Sequence, residues 1–273
     1  MSAMRNGLIV HADDFGETEQ ITLGICEVID AGIVTSTSIM ANMPATDFAL
    51  GRARALGERV SFGVHLTLCE GRALTGPSCL TNVAGKFVSK RQLFLRSVTG
   101  RLREVEVEAE VAAQVARIAA GGIRISHLDG HKHLHQLPVV CRAVAKAARK
   151  HGIERVRLAA MHSIAAYRSP SSAVREVLAI HAARVFSAAQ LRFPRRLVDI
   201  GFCRAAAKRP EPWLALVRQA GILEMFCHPG TELADAEKPG SCARSEELEF
   251  LLSSDLRRLL AESGVRLINY WSV

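Results

Sequence analysis

The chain has few aromatic residues and no hydrophobic run long enough to cross a bilayer. Aromatic residues make up 5% of its 273 residues, and no apolar stretch approaches the ~20 residues that a transmembrane helix needs. The seven cysteines include no Cys-x-x-Cys pair, which argues against a zinc knuckle, and an odd number fits no closed disulfide scaffold. The first strand begins within about six residues, which leaves no room for a signal peptide. We therefore predict a cytoplasmic protein with reduced thiols and no transmembrane segment.

The sequence also lacks internal repeats, low-complexity segments and any stretch typical of an interdomain linker. Hydrophobic residues account for 49% of the chain, which is enough to fill a sizeable core. A length of 273 residues is long for an ordinary domain but normal for an α/β barrel. We therefore predict a single domain over residues 1–273.

Positive charge is in excess over the whole chain. The net charge is +8 and the isoelectric point is near 9.4, which allows nucleic acid, an acidic membrane surface or an anionic substrate as a partner. The scarcity of aromatic residues and the absence of a recognised nucleic-acid-binding motif argue against the first. We expect no nucleic-acid partner, although a basic nucleic-acid-binding protein stays open as an alternative. The residues that motivate it are Arg184, Arg192, Arg195, Arg196, Arg204, Lys208 and Arg209.

Apolar segments with strand character alternate with segments of helical periodicity along the chain. Connections of this length cannot be hairpins, so we expect mainly parallel strands joined by right-handed crossovers. About seven or eight such strands favour an α/β fold of the distorted (β/α) barrel type. The predicted strands are 7–10, 33–38, 60–66, 123–128, 154–158, 197–202, 222–227 and 265–270. The predicted helices are 19–31, 47–56, 102–120, 138–150, 173–190, 212–220 and 245–263.

Two regions interrupt this alternation. Residues 69–100 combine several glycines with polar and basic residues and carry only short apolar clusters. Residues 184–210 are rich in arginine and include a predicted arginine-rich loop. Long irregular segments are uncommon in compact domains unless they serve a function. We therefore predict that both are excursions near the rim formed by the strand ends.

Two adjacent carboxylates, Asp13 and Asp14, follow the apolar run that forms the first strand. Like charges side by side at a strand end cost free energy unless a cation or a proton lies between them. This pattern indicates a metal site. The alternative is a turn in which an aspartate caps the helix that begins near Glu17.

Polar residues also end several of the other predicted strands. Three histidines at alternate positions follow the fourth strand, and they would share one face if that segment stayed extended. Imidazole is the commonest neutral metal ligand in proteins. Because parallel strands place their carboxyl ends on one rim, where barrel enzymes build their sites, we expect these side chains to converge. The residues expected there are Asp13, Asp14, His65, His131, Arg157 and His228, while His133 and His135 receive no role as ligands.

Four of these segments, in this order, resemble the YdjC-like carbohydrate deacetylases. They are His-Ala-Asp-Asp-Phe-Gly at 11–16, Gly-Val-His-Leu at 63–66, His-Leu-Asp-Gly-His-Lys-His-Leu-His at 127–135 and Cys-His-Pro-Gly at 227–230. Further similarity lies in the Val-Thr-Ser-Thr of the second strand and in the segment from Arg244 to Leu248. The resemblance covers nearly the whole chain and implies a distorted barrel related to the polysaccharide deacetylases.

The resemblance implies one catalytic domain that hydrolyses N-acetyl groups of amino sugars or N-acetylated glycans. It also implies one divalent ion, Mg²⁺ or Zn²⁺, between which the sequence does not choose. A general base and a general acid complete the expected site. By position, the implied metal ligands are Asp14, His65 and His131, the base and acid are Asp13 and His228, and the substrate-binding residue is Arg157.

The chemistry of amide hydrolysis agrees with this implied set of residues. A metal lowers the pKa of bound water to about 7 and polarises a carbonyl group, and three protein ligands leave positions open for water and substrate. Only one of two adjacent acids can easily point at the metal, so the other can accept a proton. A metal-dependent phosphoesterase could use the same rim, and the surplus of arginine would suit phosphate. That activity stays open as the alternative, as does assembly into a homo-oligomer.

Overall fold

The computed structural model describes residues 6–160, 170–231 and 243–273 of the chain. Within these ranges, seven strands form one sheet, against which the helices pack. The strands are β1 (Gly7–Phe15), β2 (Ser36–Ile39), β3 (Ser61–Leu66), β4 (Ile125–Gly130), β5 (Arg196–Asp199), β6 (Ile222–Cys227) and β7 (Arg266–Leu267). The helices are α1 (Glu19–Asp30), α2 (Thr46–Leu56), α3 (Lys90–Val98), α4 (Glu104–Ala120), α5 (Pro138–Lys150), α6 (Pro170–Ala188), α7 (Ile200–Lys208), α8 (Glu211–Ala220), α9 (Arg244–Leu252) and α10 (Ser254–Ser263).

The sheet is parallel throughout, and its strand order is β4-β3-β2-β1-β6-β5, with β7 beside β1. The segment 154–160 joins its two edges. The N–H of Arg157 donates to the carbonyl oxygen of Leu128 in β4 at 2.9 Å, and the N–H of Leu197 in β5 donates to that of Ala160 at 3.1 Å. The predicted α/β class with mainly parallel strands is confirmed, and the two edge strands are linked through this one segment, as in a distorted barrel.

The strand β1 lies at the centre of the sheet and is buried along its whole length. Its apolar residues Leu8, Ile9 and Val10 have no exposed surface, which is the pattern of a parallel strand covered on both faces. Its neighbours are β2 and β6, whose carboxyl ends flank its own. The two aspartates at the end of β1 therefore stand in the middle of the rim.

Helix α1 begins without using either aspartate as a cap. The hydroxyl of Thr18 accepts a hydrogen bond from the N–H of Ile21 at 3.1 Å and so occupies the N-cap position. The helix then buries Ile21, Ile25 and Val28 in the core. Since a threonine satisfies the first turn, the interpretation of an aspartate as a helix cap is wrong, and both carboxylates take other partners.

Three regions differ in part from the predicted elements. The region 184–210 holds the end of α6 and all of β5, near the predicted helix 173–190 and strand 197–202, and it also holds α7, where no helix is predicted. Arginine side chains extend from helices and strands into solvent, so their abundance does not mark a loop. The region 69–100 contributes no strand to the sheet and contains only α3 and two isolated antiparallel bridges. The segment 154–158 makes isolated bridges where we expect a strand.

The three histidines after β4 are not extended. They lie in a 3-10 helix, His131–Gln136, within which Lys132 and His133 have φ values of 55° and 58°. The predicted shared face is therefore absent, because alternate side chains align only on an extended chain. The last predicted helix is also divided, since α9 ends at Leu252 and α10 begins at Ser254.

Among the residues described, no helix combines the length and the apolar character needed to cross a membrane. The six cysteines within the described ranges are free thiols, and Cys242 lies outside those ranges.

Candidate active site

The two adjacent aspartates at the end of β1 take different partners. Asp14 has a φ of 68°, a left-handed conformation that is unfavourable for a residue other than glycine and that clusters at functional sites. Both carboxyl groups are buried, with side-chain exposures of 5% and 2%. Asp13 contacts Arg157, whereas Asp14 contacts two histidines from β3 and from the segment after β4.

Asp14, His65 and His131 form one buried cluster. The Oδ1 atom of Asp14 lies 3.2 Å from Nε2 of His65 and 2.9 Å from Nδ1 of His131. One ligand atom from each residue lies within 4.8 Å of the other two. The Nε2 atom of His65 is buried and makes no well-formed hydrogen bond, although it lies close to the Asp14 carboxylate, and a buried polar atom without a hydrogen bond is costly. Coordination of a divalent ion would satisfy this nitrogen, so the predicted ligand set fits a metal.

Each histidine of the cluster also has a carboxylate beside its other ring nitrogen. Nδ1 of His65 lies 3.0 Å from Oδ1 of Asp129, and Nε2 of His131 lies 3.4 Å from Oε2 of Glu70. Burial alone would lower the pKa of both histidines. The carboxylates of Asp129, Asp13 and Asp14 together outweigh it for His65, and those of Asp14 and Glu70 outweigh it for His131, so both pKa values are raised above the usual one. Carboxylates in such positions orient metal-binding histidines.

Asp13 is held by a buried arginine. The two terminal nitrogens of Arg157 donate to the two carboxylate oxygens of Asp13 at 2.8 and 2.9 Å. Nε of Arg157 donates to Glu224 at 2.8 Å, and the hydroxyl of Tyr270 donates to the same glutamate at 2.7 Å. Burial alone would raise the pKa of Asp13, but the positive charges of Arg157, His65 and His11 together outweigh it and hold that pKa well below its usual range. Asp13 is therefore ionised throughout the neutral range.

The prediction that Arg157 binds substrate is not supported by this geometry. Its side chain has no exposed surface, and its guanidinium contacts Asp13, Asp129 and Glu224. A substrate cannot reach a fully buried group without displacing these carboxylates. Arg157 is instead placed to fix the position of Asp13.

His228 lies just beyond the end of β6, beside Asp13, and 36% of its side chain is exposed. Nε2 of His228 lies 3.8 Å from Oδ2 of Asp13, and Nδ1 lies 3.9 Å from Oε1 of Glu247. These distances are ionic contacts and not hydrogen bonds. Burial alone would lower the pKa of His228, but Glu247, Asp14 and Asp13 outweigh it and raise that pKa above its usual value.

Sequence reasoning missed several partners of the predicted residues. Arg244, the first residue of α9, donates to Oδ2 of Asp14 at 2.7 Å and to Oε2 of Glu17 at 2.9 Å. The family resemblance includes Arg244 but assigns it no role. Glu224 could have been noticed because it is a charged residue within an apolar strand, and charged residues are rarely buried unless they are paired.

Negative charge exceeds positive charge at the centre of this site. Among the described residues, four buried carboxylates contact two guanidinium groups, and Glu17, Glu70 and Glu247 at the border of the site add further negative charge. A divalent cation would offset part of this negative charge, and protonation of His65 and His131 would do so in its absence. The carboxylates are those of Asp13, Asp14, Asp129 and Glu224, and the guanidinium groups are those of Arg157 and Arg244.

Comparison with known proteins shows to which family the chain belongs. Residues 7–262 match the model of the YdjC-like proteins. The chain belongs to the YdjC-like family. This result confirms the resemblance read from the four sequence segments. It also means that the rim residues found here lie within the part of the chain that defines the YdjC-like proteins.

Relatives of the YdjC-like chain carry a common description. A carbohydrate deacetylase of Geobacillus stearothermophilus is 30% identical over 269 residues, which cover 96% of each chain. A carbohydrate deacetylase of Homo sapiens is 32% identical over 296 residues, covering 98% of this chain and 91% of the human protein.

Solved structures share the fold. A protein of Enterococcus faecalis, described as a putative cellobiose-phosphate cleavage protein, superposes with a TM-score of 0.77 at 25% identity over 98% of each chain. A lactam utilization protein of Thermus thermophilus gives a TM-score of 0.51 at 14% identity, covering 95% of this chain and 98% of its own. The second likeness concerns the fold alone.

Proposed function

We propose that this chain is a metal-dependent carbohydrate N-deacetylase, which hydrolyses an N-acetyl group on an amino sugar to acetate and a free amine. The observation that supports the proposal most strongly is the placement of Asp13 and His228, separated by 3.8 Å, beside the buried cluster of Asp14, His65 and His131. The YdjC-like membership and the deacetylase relatives agree with it. A cytoplasmic location, in keeping with the free thiols, is part of the same proposal.

Asp14, His65 and His131 would hold one divalent ion. Such an ion, when bound, makes water more acidic and polarises the acetamide carbonyl group. Two imidazoles and a carboxylate suit zinc, whereas additional oxygen ligands from water would suit magnesium. The native ion is proposed to be one of these two.

Asp13 would act as the general base. The carboxylate accepts a proton from the attacking water while the water oxygen forms a bond to the acetyl carbon. The clamp by Arg157 fixes the direction of this carboxylate and keeps it ionised, at some cost in basicity. We therefore propose a positioning role for Arg157 in place of the predicted contact with substrate.

His228 would act as the general acid. An amine leaves poorly unless it is protonated, so a donor must reach the nitrogen as its bond to the acetyl carbon breaks. The raised pKa of His228, which follows from Glu247, Asp14 and Asp13 outweighing burial, keeps an imidazolium available near neutral pH. After one turnover Asp13 holds an extra proton and His228 lacks one, and the two residues return to their starting states by exchange with solvent.

Acetate release tests this function directly. The protein is incubated with a panel of N-acetylated saccharides, with and without Mg²⁺ or Zn²⁺ and after exhaustive chelation, and acetate and inorganic phosphate are both measured. We expect acetate that depends on the added ion. Phosphate release from phosphorylated members of the panel, without acetate, would instead favour the metal-dependent phosphoesterase.

A further inference from the structure

His133 takes no part in the proposed mechanism or in the cluster of Asp14, His65 and His131. It lies in the 3-10 helix His131–Gln136 with a φ of 58°, directly after Lys132 with a φ of 55°. Two consecutive residues other than glycine in the left-handed region are unfavourable, and such strain persists where the surrounding structure imposes it, commonly at ligand-binding sites. The backbone therefore holds this imidazole in a fixed place at the rim.

The ring of His133 belongs to a wall of rings beside the proposed general acid. It makes an edge-to-face contact with Phe226, with ring centroids 5.3 Å apart and an interplanar angle of 86°. Phe226 makes the same kind of contact with His228, at a centroid distance of 5.5 Å and an angle of 88°. The residues His133 and Phe226 are both partly exposed. The wall formed by His133, Phe226 and His228 is thus partly exposed and includes the proposed general acid.

The two nitrogens of His133 have different surroundings. Nδ1 is buried without a hydrogen-bond partner, and neither nitrogen makes a hydrogen bond to a described residue. A buried N–H without an acceptor is less tolerable than a buried lone pair. The proton of the neutral ring is therefore on Nε2, the nitrogen that remains for the exposed side of the ring. His133 consequently presents an unused donor on the exposed side of this wall.

We propose that His133 determines substrate specificity by donating a hydrogen bond from Nε2 to a hydroxyl oxygen of the sugar. The inference rests on the proposed deacetylase function. The nitrogen that receives a proton from His228 is bonded to a sugar carbon, so the sugar ring lies against the same wall during the reaction. The acetyl group points the other way, toward the cluster of Asp14, His65 and His131, which leaves the sugar and not the acetyl group for His133.

Three variants separate this role from a structural one. In His133→Leu the donor is lost, and KM for an N-acetylglucosamine disaccharide should rise about three- to tenfold, the range for one hydrogen bond. In His133→Gln the amide nitrogen occupies a position close to that of Nε2, and KM should return most of the way to the wild-type value. His133→Asn is the matched control, because asparagine tolerates the left-handed backbone but its amide is too short to reach. It should keep the wild-type Tm and show the KM of the leucine variant.

Deoxy substrates and metal content complete the test. The second test uses N-acetylhexosamines that each lack one hydroxyl group. For one of these analogues the wild type should have a raised KM, and His133→Leu should have the same KM as the wild type. Metal content and kcat should be the same in all variants, and binding of the amino-sugar product, measured by calorimetry, should weaken in parallel with KM. An unchanged KM for His133→Leu would overturn the inference, as would an equal rise in KM from wild type to His133→Leu on every deoxy analogue. Acetate release by the wild type would still support the proposed function in either case. No acetate from the wild type on any saccharide would reject both.

Discussion

Replacement of Glu70 by glutamine should weaken metal binding without removing a metal ligand. Glu70 stands beside Nε2 of His131 at 3.4 Å, as Asp129 stands beside Nδ1 of His65 at 3.0 Å. Loss of a carboxylate that orients a ligating histidine typically lowers metal affinity by about 10- to 100-fold. The longer distance and the 26% exposure of the Glu70 side chain place this change at the lower end, so we expect about a tenfold loss.

Glu70→Gln should also change the number of protons that are released when the metal binds. Burial alone would lower the pKa of His131, but Asp14 and Glu70 raise it, so the metal-free protein carries a proton there that the ion must displace. Affinity in the wild type therefore falls as pH drops below this raised pKa. In Glu70→Gln the pKa of His131 falls, so fewer protons are displaced when the metal binds. The loss of affinity should therefore be largest at pH values above the raised pKa of His131, where protons no longer compete with the metal.

Titration calorimetry in two buffers of different ionisation enthalpy measures both quantities. Glu58→Gln is the matched control, because Glu58 is a 92% exposed carboxylate before β3 that forms an ion pair only with Arg124 among the described residues. It should bind metal and release protons as the wild type does. Equal affinity and equal proton release for Glu70→Gln and the wild type would refute the role given to Glu70.

Five further substitutions test the mechanism and the packing. Asp14→Asn should lose bound metal while Asp13→Asn keeps the metal and loses acetate release; elemental analysis showing the reverse would exchange their roles. His228→Ala should lower kcat by about 10²–10⁴ and abolish the alkaline fall of the kcat profile, since the raised pKa of His228 sets where the imidazolium is lost; a persisting alkaline fall would identify another donor. Gly63→Ala places a Cβ atom 2.4 Å from the ring of a buried histidine and should cost about 1–3 kcal/mol, whereas Gly51→Ala, in the open middle of α2, should gain about 0.5–1 kcal/mol. Denaturant midpoints of the two glycine variants that move in the same direction would contradict this contrast.

Much of the rim could be predicted because it depends on features that are local in sequence. The alternation of strand and helix implies parallel strands, and parallel strands bring their carboxyl ends to one edge whatever their order. That rule alone placed Asp14, His65 and His131 at one rim, and the structure describes them as one cluster. The family resemblance could add roles because its motifs are short and contiguous.

The partners of these residues depended on tertiary structure. The guanidinium of Arg157 reaches Asp13 across 144 positions of sequence, and a contact of that separation is set by strand order and by the depth of each side chain, neither of which is encoded in a local pattern. For the same reason Arg157 was expected at the substrate, since polarity at a strand end does not reveal whether a side chain turns outward or inward. The conformation of His133 could not be predicted either, because alternating histidines are equally compatible with an extended segment and with a left-handed turn. In the structure the turn is left-handed, and His133 packs against Phe226. Sequence by itself determined which chemical groups reach the rim, and the folded chain decided which of them touch, because burial and pairing depend on distances between strands that are remote in sequence.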